Sequence, residues 1–287
     1  MEDILTYDLE PRVPGFRPPP LSCDSHVHVF GPSARFPYAE GRGFTPVDAP
    51  KESLFALHRT LGIERCVIVQ SAVHGMDNRV VEDAIVAGEG RYLGIALVPA
   101  SVPDAELARL AAAGFRGVRF NFMKHLASSA SPAEVIALTQ RLAPLGLHLQ
   151  VHFQSDLVHE LGPVLKTSAV PVVIDHMGRV DAALGDDHAD FRALHALLAD
   201  PKFYVKVSGI DRIDPTPPYT QGVALAARLV ADYSDRCLWG TDWPHPNHTH
   251  VPDDGELVDA LAEIAPTAAL MQQLLVTNPQ GLYQFTA

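Results

Sequence analysis

The sequence predicts a single-domain α/β protein folded as a (β/α)8 TIM barrel, on three observations. The chain has 287 residues, which is long for an ordinary domain but typical of one α/β barrel. Eight short apolar runs rich in β-branched residues alternate with helical patterns, and their continuous apolar character is typical of parallel strands buried on both faces. No glycine-rich phosphate loop follows the first run, which argues against the alternative of a doubly wound open sheet.

The elements follow one another in a regular order. Residues 1–20 are rich in proline and aperiodic, so they predict an extended N-terminal arm ahead of a barrel spanning 21–287. The eight predicted strands are 22–30, 65–70, 92–98, 117–122, 147–153, 170–176, 203–209 and 236–242. Helical patterns, several with Ser, Thr or Asp near the start and Gly at the end, lie at 53–62, 103–114, 131–146, 189–200 and 220–235. The long segment 31–50 after the first strand contains Gly, Pro and aromatic residues and predicts a lid or substrate loop.

Composition and charge narrow the classes of partner. The net charge is −12, and no cluster of Lys or Arg marks a surface for nucleic acid or an anionic membrane. A few arginines in a cleft would still suit a small anionic substrate. The chain has neither a run of about 20 apolar residues nor a signal-like N-terminus. Together with three cysteines in or beside apolar runs, interpreted as buried thiols, this predicts a cytoplasmic protein, with oligomerisation left open.

Polar side chains concentrate at the carboxyl ends of the predicted strands, where barrel enzymes place their active sites. His26 and His28 lie two residues apart on the first strand and therefore share one face. Burying several titratable groups at one barrel mouth is costly without a function. The strand-end residues are His26, His28, Arg119, His152, His176 and Asp242, and Arg212 follows the seventh strand.

These residue types suit metal-assisted or general-base hydrolysis. Nitrogens of His26, His28 and His152 with an oxygen of Asp242 would complete a mononuclear zinc site with room for water. His176 could then polarise a substrate carbonyl, and Asp242 is a natural general base. The role of His245 stays open. Six further histidines are interpreted as surface or structural: His58, His159, His188, His195, His248 and His250.

Six motifs in one order carry a resemblance that spans residues 22 to 283. They are DSHVHVFGP, RCVIVQSAVHGMDN, GFRGVRFNF, VVIDHMGR, LWGTDWPHPN and LLVTNPQGLY. With them the chain resembles the amidohydrolase superfamily, and within it the 2-pyrone-4,6-dicarboxylate lactonase-like metal-dependent hydrolases. The resemblance implies a distorted barrel that opens a lactone ring bearing carboxylates, in the breakdown of aromatic acids or sugar acids.

The resemblance also implies roles for individual residues. Asp242 would activate water, while His26, His28 and His176 would polarise the ring carbonyl. Arg119 and Arg212 would hold substrate carboxylates, a task that suits the planar guanidinium. Lys124 and His152 are further expected substrate contacts.

Four positions depart from the pattern of those lactonases. The family pattern has a further arginine where His125 stands, a tyrosine at His152, a tyrosine or similar donor at Phe44, and a serine at Ala72. These are substrate contacts in the family, so the dicarboxylate itself is not implied here. Those lactonases are regarded as metal-free, yet His152 supplies the third imidazole of zinc-dependent relatives, so a divalent metal, most plausibly zinc, and no metal both stay open.

Three functions follow from this sequence. The first is a lactonase acting on a small anionic lactone, with Asp242 as the base for water. The second is a zinc-dependent decarboxylase similar to the aminocarboxymuconate-semialdehyde decarboxylases of the same superfamily. The third is a non-catalytic barrel that binds an organic acid.

Overall fold

The computed structural model describes residues 4–123, 130–248 and 250–287 and forms one eight-stranded sheet. The strands follow chain order from β1 to β8, and each neighbouring pair is parallel. All eight predicted strands are confirmed; seven are shorter than predicted, and the one predicted at 117–122 begins two residues earlier. They are β1 Cys23–Val27, β2 Arg65–Val69, β3 Tyr92–Leu97, β4 Phe115–Phe122, β5 His148–Phe153, β6 Val172–Ile174, β7 Phe203–Lys206 and β8 Cys237–Leu238.

Helices in the described ranges connect these strands and cover the sheet. Each of the five helical segments predicted above is present, and Ser131 forms a capping box with Glu134 at the start of its helix. The helices are α1 Lys51–Leu61, α2 Arg79–Ala87, α3 Asp104–Ala112, α4 Pro132–Leu142, α5 Val158–Leu165, α6 Ala189–Leu198, α7 Ile210–Ile213, α8 Thr220–Asp232, α9 Asp254–Asp259, α10 Leu261–Ile264, α11 Ala268–Gln272 and α12 Asn278–Tyr283. A π-helical turn at Gln273–Thr277 precedes α12.

Backbone hydrogen bonds between β1 and the chain after β8 close the barrel. Ser25 N donates to Trp239 O at 2.8 Å, Asp242 N donates to His26 O at 2.8 Å, and His28 N donates to Trp243 O at 2.7 Å. The closing contacts therefore run directly through the segment that carries Asp242. We call this contact the seam.

The core has two parts because successive strand residues face opposite sides of the sheet. One buried cluster joins the outer strand faces to the helices, and the other fills the barrel interior. Tyr283 and Phe285 from the C-terminal region belong to the interior cluster, together with Val67, Ile95 and Val173.

The N-terminal arm packs on the barrel. Ile4 forms a bridge with Pro46, and Gly15 N donates to Asp259 at 2.7 Å. The three cysteines are buried and unpaired, as predicted. Among the residues described, no helix has the length and apolarity needed to cross a membrane.

Candidate active site

A cavity of about 380 Å³ opens at the carboxyl ends of the strands, and His28, His176 and Asp242 line it. Residues 41–44 also contribute to its wall. They belong to the segment 31–50, so this segment borders the site as the sequence predicts.

Three imidazoles surround one oxygen of Asp242. The Nε2 atoms of His28, His26 and His176 lie 3.4, 3.6 and 3.8 Å from Asp242 Oδ1. Asp242, His26 and His176 are almost wholly buried, and neither Asp242 Oδ1 nor His26 Nε2 has a hydrogen-bond partner. The structure therefore brings these four side chains together at the barrel mouth.

The tautomer of His28 follows from its other ring nitrogen. Nδ1 lies 2.7 Å from the carbonyl oxygen of Val69, which can only accept, so Nδ1 carries the proton. In the neutral ring, Nε2 is then a lone pair that faces the carboxylate of Asp242. Two acceptors directed at each other favour a positive species between them.

The donor set fits a divalent metal. Ligand atoms of His26, His28 and Asp242 lie within 4.8 Å of one another, and so do those of His26, Asp175 and His176. Imidazole nitrogen and carboxylate oxygen are ordinary ligands of zinc, and the orphaned buried atoms here are those that a metal would satisfy.

The position of His152 differs from the expected ligand set. Its Nδ1 lies 3.3 Å from Asn121 Oδ1, since the two residues are paired in register on β4 and β5. That contact holds the ring on the cavity wall beside His176, with ring centroids 5.4 Å apart. No metal-type group among the described residues includes His152, whereas His176 Nε2 lies 3.8 Å from Asp242 Oδ1.

A buried charge network lies beneath these histidines. Asp175 Oδ1 is 3.2 Å from His26 Nδ1, and Asp175 Oδ2 accepts from Arg119 Nε at 2.8 Å. Lys206 Nζ lies 3.2 Å from His26 Nδ1 and donates to Gln150 Oε1 at 2.9 Å. Burial lowers the pKa of Lys206 to about 8, although Asp175 opposes this shift. Burial, with the charge of Lys206, also lowers the pKa of His26 to about 3, so His26 is neutral near pH 7.

Asp242 is ionised by its surroundings. Burial on its own would raise the pKa of its carboxyl group, but Arg212 and His176 hold the pKa well below its usual range. Arg212 Nε donates to Asp242 Oδ2, and Arg212 Nη2 donates to Pro246 O at 2.8 Å. The two oxygens therefore differ, because Oδ2 is occupied by the guanidinium and Oδ1 faces the imidazoles.

Comparison with known proteins identifies the family. The amidohydrolase family model matches residues 23–285, and the curated 2-pyrone-4,6-dicarboxylate hydrolase of Comamonas testosteroni is 42% identical over 97% of this chain and 95% of its own. The chain belongs to the amidohydrolase family. A 4-sulfomuconolactone hydrolase of Hydrogenophaga intermedia is 39% identical to this amidohydrolase, over 92% of this chain and 89% of its own.

A solved structure shares the fold of this amidohydrolase over most of its length. It is described as a probable 2-pyrone-4,6-dicarboxylic acid hydrolase from Acinetobacter baumannii with citric acid bound. Its TM-score is 0.82 at 26% identity, covering 92% of this chain and 100% of that one. The resemblance inferred from the six motifs is confirmed.

Four arginines of the described residues line the cavity of the amidohydrolase. Arg119 and Arg212 lie there, and each also contacts a buried carboxylate, Asp175 or Asp242. Arg42 and Arg179 are the others, and burial together with the charge of Arg212 lowers the pKa of Arg179 to about 10. Lys124, the other expected substrate contact, lies outside the described residues, as does His125.

Sequence reasoning missed several residues of this site. Arg179 stands inside the motif VVIDHMGR, and Lys206 and Gln150 are polar residues inside apolar strands. A charged or amide side chain within a buried strand is itself a signal, because its burial requires partners. Asp24 was also missed, and it holds the seam by accepting from Thr241 Oγ1 at 2.6 Å and from His26 N at 3.1 Å.

Proposed function

We propose that this amidohydrolase hydrolyses the ring ester of a small anionic lactone, with Asp242 as the general base. The observation that carries the proposal is the environment of Asp242 Oδ1. It is an ionised, hydrogen-bond-free oxygen within 3.8 Å of three imidazole nitrogens, beside a cavity lined by arginines. An acceptor of this kind can take a proton from water placed against a bound carbonyl.

In the proposed reaction, Asp242 removes a proton from water, and the oxygen of that water attacks the lactone carbonyl. The acyl carbon–oxygen bond of the ring then breaks, and Asp242 returns the proton to the leaving oxygen. The product is one open chain with a carboxylic acid at one end and an alcohol or enol at the other. His176, whose Nδ1 can accept from the hydroxyl of Ser208, then has an Nε2–H that can stabilise the negative charge developing on the carbonyl oxygen.

The same histidines and Asp242 would hold a divalent metal, and zinc suits their nitrogen and oxygen donors best. Such an ion would act as a Lewis acid on the carbonyl and make bound water more acidic. The lone pair of His28 Nε2 facing Asp242 supports this assignment. Asp175 and Lys206 contact His26 Nδ1 and fix the direction of its Nε2.

The substrate class is proposed from the cavity wall. Arg119, Arg179 and Arg212 supply positive charge, which suits a lactone bearing carboxylate or sulfonate groups. The names of the two curated relatives, hydrolases of a pyrone dicarboxylate and a sulfomuconolactone, support this class. His152 and Phe44 border the same space and would select among such lactones. These substrate classes place the enzyme in aromatic-acid catabolism.

A lactone panel tests the proposal. Matched pairs of lactones, with and without an acid group on the same ring, are hydrolysed by the purified enzyme in a pH-indicator assay, before and after treatment with a chelator. We expect kcat/KM to be at least about tenfold higher for the acidic member of a pair, as for one charge-assisted contact. No hydrolysis of any acidic lactone contradicts the proposal, and release of CO2 from an acidic substrate would favour the decarboxylase class instead.

A further inference from the structure

A second group of metal-type side chains lies beside the active site, on the other side of Asp242. Asp211 of α7 and two histidines of the loop after β8, His245 and His248, each offer a ligand atom, and these atoms lie within 4.8 Å of one another. His250 adds another imidazole, with Nε2 3.4 Å from Asp211 Oδ2. We call these four residues the loop cluster.

The polar atoms of the loop cluster lack hydrogen bonds. Both oxygens of Asp211 and both ring nitrogens of His245, His248 and His250 are buried without a hydrogen-bond partner. His248 Nδ1 approaches Asp211 Oδ2 to 2.8 Å and His245 Nε2 approaches Asp254 Oδ1 to 3.2 Å, yet neither contact has hydrogen-bond alignment. Buried polar groups in proteins ordinarily have hydrogen-bond partners, so eight polar atoms without one in a single cluster are unusual.

The side chains are also well shielded from water. Asp211 and His245 are fully buried, the side chain of His248 is 3% exposed and that of His250 is 26% exposed. Water therefore does not satisfy these atoms from outside. Burying a carboxylate and three imidazoles without aligned hydrogen bonds is unfavourable, whereas one cation among them would take one ligand atom from each side chain.

We propose that the loop cluster is a second divalent metal site, ligated by Asp211, His245, His248 and His250. Three nitrogens and one oxygen would make a closed set of four ligands, a number and type that are typical of structural zinc. Its nearest side-chain approach to Asp242 is His248 Nε2, which lies 3.5 Å from Oδ2, the carboxylate oxygen that does not face the other three imidazoles.

The site would join two segments that set the active-site geometry. Asp211 is next to Arg212 on α7, and the three histidines follow Asp242 in the chain. A metal here would therefore fix the guanidinium and the carboxylate relative to each other. The proposed metal would hold Arg212 and Asp242 in position and would not take part in breaking the lactone bond.

Zinc stoichiometry tests the second site. Metal-stripped His28→Gln, in which the first site is weakened, is titrated with zinc against a chromophoric chelator, and bound zinc is counted by elemental analysis. We expect about one tight equivalent, which raises Tm because the ion binds the folded state. We expect the double variant His28→Gln/His248→Gln to lose that equivalent while circular dichroism shows a folded barrel.

Two further variants keep the test decisive if His248→Gln fails to fold. In the His28→Gln background, His250→Gln changes the most exposed ligand, and we expect zinc affinity to fall at least about tenfold. His159→Gln removes an exposed surface histidine, with a side chain 51% exposed, and should leave zinc binding unchanged. Less than about a tenth of an equivalent in His28→Gln overturns the proposal, as does unchanged zinc affinity in His250→Gln.

Discussion

At the scale of single residues, the two carboxylate oxygens of Asp242 have different surroundings. Oδ2 is held by Arg212, which keeps the group ionised and fixes its plane. Oδ1 faces the imidazoles and remains available for a proton. A base with a depressed pKa gives up basicity but is fully ionised at neutral pH. The arginine thus controls both the position and the strength of the base.

We expect Asp242→Asn to lower kcat at least about a hundredfold, because the amide cannot accept the proton of water. Steady-state hydrolysis of an acidic lactone measures the loss, and circular dichroism verifies the fold. The matched control is Asp187→Asn at an exposed position, which should leave kcat unchanged. Retention of more than about a tenth of the wild-type kcat would remove Asp242 from the mechanism.

We expect Arg212→Met to move the acid limb of the pH–rate profile to higher pH. The guanidinium lowers the pKa of Asp242, so its removal raises that pKa, and the carboxylate is then protonated at a higher pH. The profile of kcat/KM against pH measures the shift. The same variant should raise KM for an acidic lactone more than for a neutral one.

Arg179→Met is the comparison for that experiment, because Arg179 lines the cavity and has no ion pair with Asp242 among the contacts described. It should raise KM for acidic lactones and move the acid limb less than Arg212→Met does, because the charge of Arg179 acts on Asp242 without a direct contact. If Arg212→Met and Arg179→Met change the profile equally, the Arg212–Asp242 pair does not tune the base.

At the scale of elements, the seam fixes where the base stands. β8 is only two residues long, and the chain beyond it continues along β1 through backbone hydrogen bonds. Gly240 allows this approach, since a Cβ there would lie 2.6 Å from His26 N and 2.9 Å from Asp24 Oδ1. The backbone of β1 cannot move away from a Cβ at position 240 without displacing His26.

We therefore expect Gly240→Ala to lower the free energy of unfolding by at least about 2 kcal/mol, as for an overpacked core position, and to reduce kcat as well. Urea denaturation and steady-state kinetics measure the two effects. Gly281→Ala is the matched control, because Gly281 lies in helix α12 with no atom within 4 Å of a built Cβ. The control should be neutral or slightly stabilising. Equal stability of the two variants would mean that the seam tolerates a side chain at Gly240.

The elements were more predictable from sequence than the contacts between their side chains. Buried parallel strands are continuous apolar runs, so their positions and the residues at their ends can be predicted from the sequence. Strand tilt and register decide which ends meet, and these placed His176 rather than His152 near Asp242. The loop cluster was missed because its geometry depends on left-handed backbone at Asp242, His245 and Asn247, which spacing does not reveal.

At the scale of the whole molecule, buried neutral histidines link stability to pH. Burial, with the charge of Lys206, lowers the pKa of both His26 and His148 to about 3 in the folded state. An unfolded histidine titrates near 6.5, so below that pH the unfolded chain binds protons that the folded chain does not. Stability therefore falls as the pH falls from about 6.5 towards 3. The depressed pKa values of Asp175 and Asp242 add a further loss below about pH 4.

We expect the free energy of unfolding to decline by roughly 1 kcal/mol for each pH unit and each such histidine below pH 6.5. Urea denaturation between pH 7.5 and 4.5, roughly spanning the histidine range, measures the slope. His148→Leu removes one of these histidines from the barrel interior and should make the slope shallower. An unchanged slope in a folded variant would show that His148 is charged in the native protein.

Closure of the barrel at the seam has a consequence for synthesis of the protein and for genetic selection of its variants. The hydrogen bond from Asp242 N to His26 O closes the barrel and also positions the proposed base. On that proposal, a nascent chain has its base in place only after the last strand has docked on the first, and an unfinished barrel is expected to be inactive. Any genetic screen that rewards turnover therefore also rewards closure, and variants recovered from it have already passed a test of folding.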